Sequence, residues 1–320
     1  MKVLVTGANG FVGRHLCHGL SKSGHTLVAT SRSVPDDFMK GCVRSIRCDL
    51  HDLSTTSNPF GGVDAVVHLA ARVHSMNPRP DEWAKVRATN VHATRSLATS
   101  AQKAGVSRFI FVSSSKVYGE NTSMANAVRE NDTLRPVGPY AISKAAAETA
   151  LAEISGKTMH MLILRPPLVY GPRAPGNVER ISKALLRGRP LPLENTNNLR
   201  SMISVKNFVA AIEASLNSPI SSDGIRSYNL ADAEELSTTQ FVRLLAEGMG
   251  CTPRLFKVPP PIIRGLQRTR AKTYVDRLWG SFRLDTTAIS EDLQWTPPRA
   301  AYAELRETGS SYGTLRSDKT

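Results

Sequence analysis

The chain has 320 residues, 41% hydrophobic and 21% charged, a composition that excludes a disordered polyelectrolyte and allows roughly two compact units. Subtracting 27 acidic from 41 basic residues leaves a net charge of +14. That charge admits a nucleic acid, an anionic membrane surface or a polyanionic small substrate, and does not choose among them. Cys17, Cys42, Cys48 and Cys251 show no CxxC spacing and no histidine-rich partner segment, so neither a disulfide framework nor a zinc site is expected, and a reducing, cytoplasmic setting fits.

The opening KVLVT reads as a strand and not as a signal-peptide core, because Thr6, Gly7, Asn9 and Gly10 break the apolar run. A helix is expected from Phe11 to Ser23, followed by the strands TLVAT, DAVVHLA, RFIFVSS and MLILRP with helical patterns between them. These strands are apolar nearly throughout, as a parallel sheet covered by helices on both faces requires, so the fold class is a doubly wound α/β. No run reaches the roughly 18 apolar residues of a membrane span. His68, alone in an apolar strand, reads as a packed side chain, and no metal is expected.

Beyond Arg165 the chain changes character, with Pro166, Pro167, Pro172, Pro175, Pro190 and Pro192 interrupting helix and strand continuity. The segment SMISVKNFVAAIEASL then reads as a strand and a helix that return to the first unit. The basic run RGLQRTRAK, Arg264 to Lys272, lacks interleaved aromatics and reads as a solvated helix face, not a nucleic-acid patch. The terminal GSSYGTLRSDKT is small and polar, which predicts a frayed tail.

Chemistry enters with TGANGFVG directly after the first strand. Gly7 permits a tight turn, Gly10 lets backbone approach a pyrophosphate, and Gly13 allows the helix to pack closely on the sheet. The helix N-terminus, with Asn9, Phe11 and Val12 between the glycines, attracts the anion. This is the signature of a Rossmann dinucleotide site. The second strand ends in Thr30, Ser31 and Arg32, where an NAD-selective protein usually carries an acid. Ser31 and Arg32 suit a 2′-phosphate, so NAD(P)H is expected with NADPH favoured over NADH. Asp49 and Leu50 in RCDL are placed for the adenine, and Ala70 in HLAA lies on the cofactor side. The expected organisation is an NAD(P)-binding domain over 1–168, joined by 201–231, with 169–200 and 232–320 forming a smaller, discontinuous substrate domain.

In PYAISKAAAE, Tyr140 and Lys144 stand four apart and share one helix face. A phenol is a poor acid or base at neutral pH, but a neighbouring ammonium favours its phenolate and makes it a usable proton carrier. Ser113, Ser114 or Ser115, closing RFIFV, can donate to a carbonyl or alkoxide oxygen. A Tyr–Lys pair at this spacing is common by chance. Its combination with a nucleotide loop and a serine cluster at a later strand end points to hydride transfer.

TGANGFVG, RCDL, HLAA, SSSKVYGE, PYAISK and LRPPLVYGP, in this order and spanning nearly the whole chain, resemble the extended short-chain dehydrogenases, which include nucleotide-sugar epimerases, dehydratases and reductases. The resemblance implies Tyr140, Lys144 and Ser114 as catalytic residues, although counting back from Tyr140 favours Ser115. It implies substrate contacts from Ser114, Ser115 and Tyr140, diphosphate contacts from Asn177, Arg200 and Arg283, a packing role for the Trp of TTAISEDLQWTPP, and a homodimer. Dehydratases of the family carry an Asp-Glu pair where Ser115 and Lys116 stand, so a 4,6-dehydratase is not expected. Epimerases often carry an Asn where Leu168 stands. HLAARVHSM, SSSKVYGE, RPPLVYGP and RGRPLPL are most similar to bacterial reductases of UDP-4-keto-6-deoxy-N-acetylglucosamine, which form UDP-N-acetylquinovosamine for O-antigen. The resemblance therefore implies a UDP-sugar partner, with no nucleic acid and no membrane span. The alternatives are a UDP-hexose 4-epimerase and a non-catalytic NAD(P)-binding sensor.

Overall fold

A computed structural model describes residues 1–32, 44–47, 49–50, 52, 59–72, 81–122, 124–154, 156, 158–219, 224–269 and 271–317. Strand β1 (Lys2–Thr6), buried from Val3 onward, lies inside a seven-stranded sheet. It pairs in parallel with β2 (Thr26–Ser31) on one side and β4 (Ala65–His68) on the other. The remaining strands are β3 (Arg44–Arg47), β5 (Arg108–Val112), β6 (His160–Arg165) and β9 (Ile225–Asn229). They complete the order β3-β2-β1-β4-β5-β6-β9, with every pairing parallel. The chain moves outward from β1 to β3 and then jumps back to β4, so a crevice opens at the carboxyl ends of β1 and β4, where doubly wound folds bind ligands.

Helices cover both faces, which is why the inner strands β1, β4 and β5 are apolar nearly throughout. On one face Leu16 and Leu20 of α1 (Phe11–Lys22) pack with Phe208 and Ile212 of α6 (Val205–Asn217). On the other, Leu97 and Ala101 of α3 (Ala93–Lys103) pack with Ala147 and Leu151 of α4 (Gly138–Ile154). Helix α2 (Glu82–Arg87) runs into α3 through a π-helical turn, Ala88–His92.

The predicted strand in SMISV forms as β8 (Met202–Ser204), but it pairs with β7 (Leu168–Tyr170) in a separate two-stranded sheet. The seventh strand of the large sheet is instead β9, reached after α6. Helices α5 (Asn177–Leu186) and α7 (Thr238–Gly248) contribute to a further core, which includes Tyr170, Val178, Phe241 and Leu245. They are followed by α8 (Pro260–Gln267), α9 (Lys272–Trp279), α10 (Thr287–Leu293) and α11 (Ala301–Ser317). The α/β class with a doubly wound parallel sheet and a small C-terminal region is thus the observed one.

The predicted frayed tail is corrected. GSSYGTLRS belongs to α11, with Thr308 and Tyr312 buried and the Tyr312 hydroxyl donating to Ala174 O at 2.5 Å. Glycine explains the contact: a Cβ on Gly309 would stand 2.2 Å from Leu245 O, and one on Gly248 2.0 Å from Arg306 O, so α7 and α11 meet backbone to backbone. Trp295 packs into the core beside α6. Among the described residues, no helix is long and apolar enough to cross a membrane. Cys17 is buried and Cys251 half-buried, while Cys42 and Cys48 lie outside the described residues.

Candidate active site

The glycine loop has the geometry a phosphate cradle needs. Gly7 turns at φ +70°, and a Cβ there would meet Ala70 N at 2.8 Å; one on Gly13 would meet Gly7 O at 2.3 Å. Gly10 caps α1 without a side-chain hydrogen bond. The first-turn amides of Phe11, Val12 and Gly13 precede the helical ladder and face forward as donors. Asn9 Oδ1 accepts from Arg14 Nε at 3.0 Å, which fixes the loop against α1.

A cleft of about 550 Å³ runs from this loop along the switch point. Gly7, Asn9, Gly10, Thr30, Ser31, Arg32, Asp49, Leu50 and Ala70 are among the residues that line it. These residues fit a dinucleotide, with small backbone-exposing residues at the anion end and Ser31, Arg32 and Asp49 at the far end. The sequence did not single out Arg72, Lys85, Ala88 and Thr89, which also line the cleft. Asn90 holds this wall: its Oδ1 accepts from Arg72 N at 2.7 Å, and its Nδ2 donates to Arg72 O at 3.0 Å and to Ser143 Oγ at 2.9 Å. Asn90 sits in the π-helical turn, a feature enriched at functional sites. In NVHATRSLA, Asn90 is one of several polar residues, and no spacing rule marks it.

Tyr140 and Lys144 lie on one face of α4, next to the end of β5. Lys144 is 2% exposed; its Nζ donates to Val112 O at 2.7 Å and stands 4.5 Å from the Phe111 ring centroid. Burial pulls its ammonium down to about 7, against the attraction of Glu148. Burial also pushes the Tyr140 phenol up to about 12, while a hydrogen bond with Ser114 pulls the other way. In this state burial holds the Tyr140 phenol above its ordinary value with Ser114 as the opposing partner, and Lys144 bonds a backbone carbonyl.

The three serines are separated by their partners. Ser113 Oγ donates to Glu148 Oε1 at 2.5 Å, and Glu148 is gripped by Arg165 at 3.1 and 2.6 Å, all buried. Ser114 bonds Tyr140, and its Oγ accepts from Lys116 N at 3.3 Å. Ser115 is buried, with its amide on Pro166 O at 2.9 Å. Glu148 and Arg165 were not singled out from sequence, although Tyr140, Lys144 and Glu148 repeat every four residues. His68 is packed: Nδ1 and Nε2 lie 2.6 and 2.8 Å from the hydroxyls of Thr6 and Thr94, and burial holds its pKa at about 3.

Beyond Ser114, Lys116 lies half-buried in the field of Arg200, Arg277 and Glu120. Desolvation lowers the Lys116 ammonium, with Glu120 opposing. Glu120 is held by Arg277 at 2.8 and 2.6 Å. Arg200 donates to Gly280 O at 2.7 Å and rests 5.8 Å from the Phe282 ring centroid; burial lowers it to about 10. Three cations thus share one carboxylate, an arrangement that suits an anionic ligand. Arg283 stands apart, its Nε on both Glu235 oxygens at 3.0 and 2.8 Å and its Nη1 on Met124 O at 2.8 Å. Asn177 is exposed at the start of α5.

The model of the NAD dependent epimerase/dehydratase family matches residues 3–231. The chain belongs to that family. A UDP-glucose 4-epimerase of Vibrio cholerae is 30% identical over 314 residues, covering 97% of this chain and 95% of that protein. A 2-alkyl-3-oxoalkanoate reductase of Stenotrophomonas maltophilia is 27% identical over 291 residues, covering 89% and 85%. Among solved structures, MoeE5 in complex with UDP-glucuronic acid and NAD is 29% identical with a TM-score of 0.76, covering 99% of this chain and 100% of that one. The chain thus shares the family's Rossmann fold over its whole length, and its relatives include both epimerases and reductases.

Proposed function

We propose that this family member is a UDP-sugar 4-epimerase that keeps NAD in the cleft between Gly7 and Asp49. The observation that carries the reading is the near full-length similarity to the Vibrio cholerae 4-epimerase, which extends through the Ser114, Tyr140 and Lys144 region. It displaces the 4-keto-sugar reductase expected from sequence as first reading. A bound nicotinamide would supply the hydride chemistry. The chain's own residues handle the proton: Tyr140 Oη takes it from the sugar's 4-hydroxyl and returns it, and Ser114 Oγ donates to the same oxygen as charge develops there. Lys144, one helical turn along α4 from Tyr140, would hold the nicotinamide ribose. Lys116, Arg200 and Arg277 are offered for the diphosphate, with Asn177 at the edge of that site.

Arg283 is held by Glu235 and Arg277 by Glu120, so each would exchange a carboxylate for the diphosphate in order to bind it. The 201–231 return to the sheet and the remaining C-terminal segments are proposed as cofactor-side and sugar-side units.

Reduction of a 4-keto sugar is kept as a second reading because Ser31 and Arg32, with no acid beside them at the end of β2, line the cleft where a 2′-phosphate would sit. The test is to denature fresh protein, identify any released nucleotide, and supply UDP-4-keto-6-deoxy-N-acetylglucosamine with NADH or NADPH. Stoichiometric bound NAD and no net oxidation support the epimerase. An empty protein that oxidises reduced cofactor in a substrate-dependent way supports the reductase and overturns the first reading.

A further inference from the structure

The densest positive charge in the molecule lies away from the catalytic groups. Between Cys251 and Val275 the sequence carries six Lys or Arg residues and no Asp or Glu. Among the described residues, the side chains of Arg254, Lys257, Arg264 and Arg268 are exposed and have no carboxylate partner, whereas Lys272 pairs with Asp276.

Charge is only half of the feature. Phe256, Ile262, Leu266 and Tyr274, all within this segment, are 46%, 53%, 38% and 57% exposed. Helix α8 has no buried residue. At about 100° per residue, the two half-buried positions Ile263 and Gln267 share the side facing α9, and Gln267 Nε2 donates to Asp276 Oδ1 at 3.4 Å. The outward side then carries Ile262 and Leu266 on one flank and Arg264 and Arg268 on the other, with Gly265 between. The basic run is thus one flank of an amphipathic helix, with apolar side chains the solvated reading did not foresee.

We propose that α8 and the segments flanking it form a surface that docks on an anionic phospholipid bilayer. Charge complementarity selects the occupant: unpaired guanidinium and ammonium groups gain from a negatively charged headgroup layer. Ile262 and Leu266 give the same face something to bury at the acyl boundary, which a phosphodiester backbone would not use. The long stems of Arg264 and Arg268 let their charges stay among headgroups while the helix lies flat. Docking of this kind is peripheral and salt-sensitive.

The test is flotation of the full chain with vesicles of phosphatidylcholine alone, or with about one third phosphatidylglycerol, at low and high salt. Capture by the anionic vesicles only, with release at roughly 0.5 M NaCl, is expected. Arg264→Glu with Arg268→Glu should lower capture about tenfold or more. Ile262→Ser with Leu266→Ser should weaken it with the charges intact, and both variants should keep the wild-type circular dichroism spectrum. No capture by anionic vesicles, equal capture by neutral ones, or capture unaffected by both variants would overturn the proposal. So would tighter binding of a DNA duplex than of anionic vesicles, read by fluorescence anisotropy.

Discussion

Lys144 concentrates the electrostatics of the site at one atom. Its ammonium is buried and held at about 7, against 10.5 for an ordinary lysine. Between those values the unfolded chain binds a proton that the native chain does not, so native stability rises with pH across that window. Lys144→Met removes the cost of burying the charge. The variant should therefore be more resistant to denaturant than wild type below pH about 7, with the advantage shrinking as pH approaches about 10; a constant difference across pH would contradict the burial account. Glu148 opposes the shift, and Glu148→Gln leaves Arg165 as an uncompensated neighbour. The Lys144 value should fall further, moving the alkaline limb of the kcat/KM profile to lower pH. Tyr140→Phe should lower turnover by about a thousandfold with NAD binding intact, by calorimetry. Ser114→Ala should cost on the order of a hundredfold in kcat, while Ser113→Ala acts through the Glu148 network and lowers stability more than it lowers kcat.

At the scale of elements, legibility followed local chemistry. The β1–loop–α1 unit could be read because steric need and residue type coincide at single positions: only a residue without a side chain suits Gly7 at φ +70° or Gly13 at 2.3 Å from Gly7 O. The Tyr140–Lys144 pair shares a helix face by its spacing, but took its meaning only from the glycine loop and the serine cluster read with it. The α7–α11 seam was not readable, because Gly309 and the serines beside it have the composition of a loop, and their helical state comes from a partner helix 60 residues earlier in sequence. Gly309→Val should destabilise the fold by about 2–3 kcal/mol in urea titration, since a methyl group cannot fit against Leu245 O. Unchanged stability would mean that α11 is not seated there. Lys116 was read only as a departure from the dehydratase pair, and Arg277 escaped notice, for a similar reason: their neighbourhood is built by a turn after β5 and by α9, and no spacing rule links the two.

At the scale of the molecule, sheet order, crevice and family agree, and the choice that remains is how the hydride is used. The sequence pattern separates a Rossmann dinucleotide fold from other α/β proteins, because that distinction rests on backbone geometry. It does not separate 4-epimerase from 4-reductase, because the mechanism proposed for either uses the same Ser114, Tyr140 and Lys144 and the two differ in whether the cofactor leaves. The measurement that tests the central claim most directly is incubation of the purified protein with UDP-glucose deuterated at carbon 4, with no cofactor added. The account predicts UDP-galactose in equilibrium with UDP-glucose and the deuterium retained at carbon 4. No interconversion by a folded protein that contains NAD would contradict it.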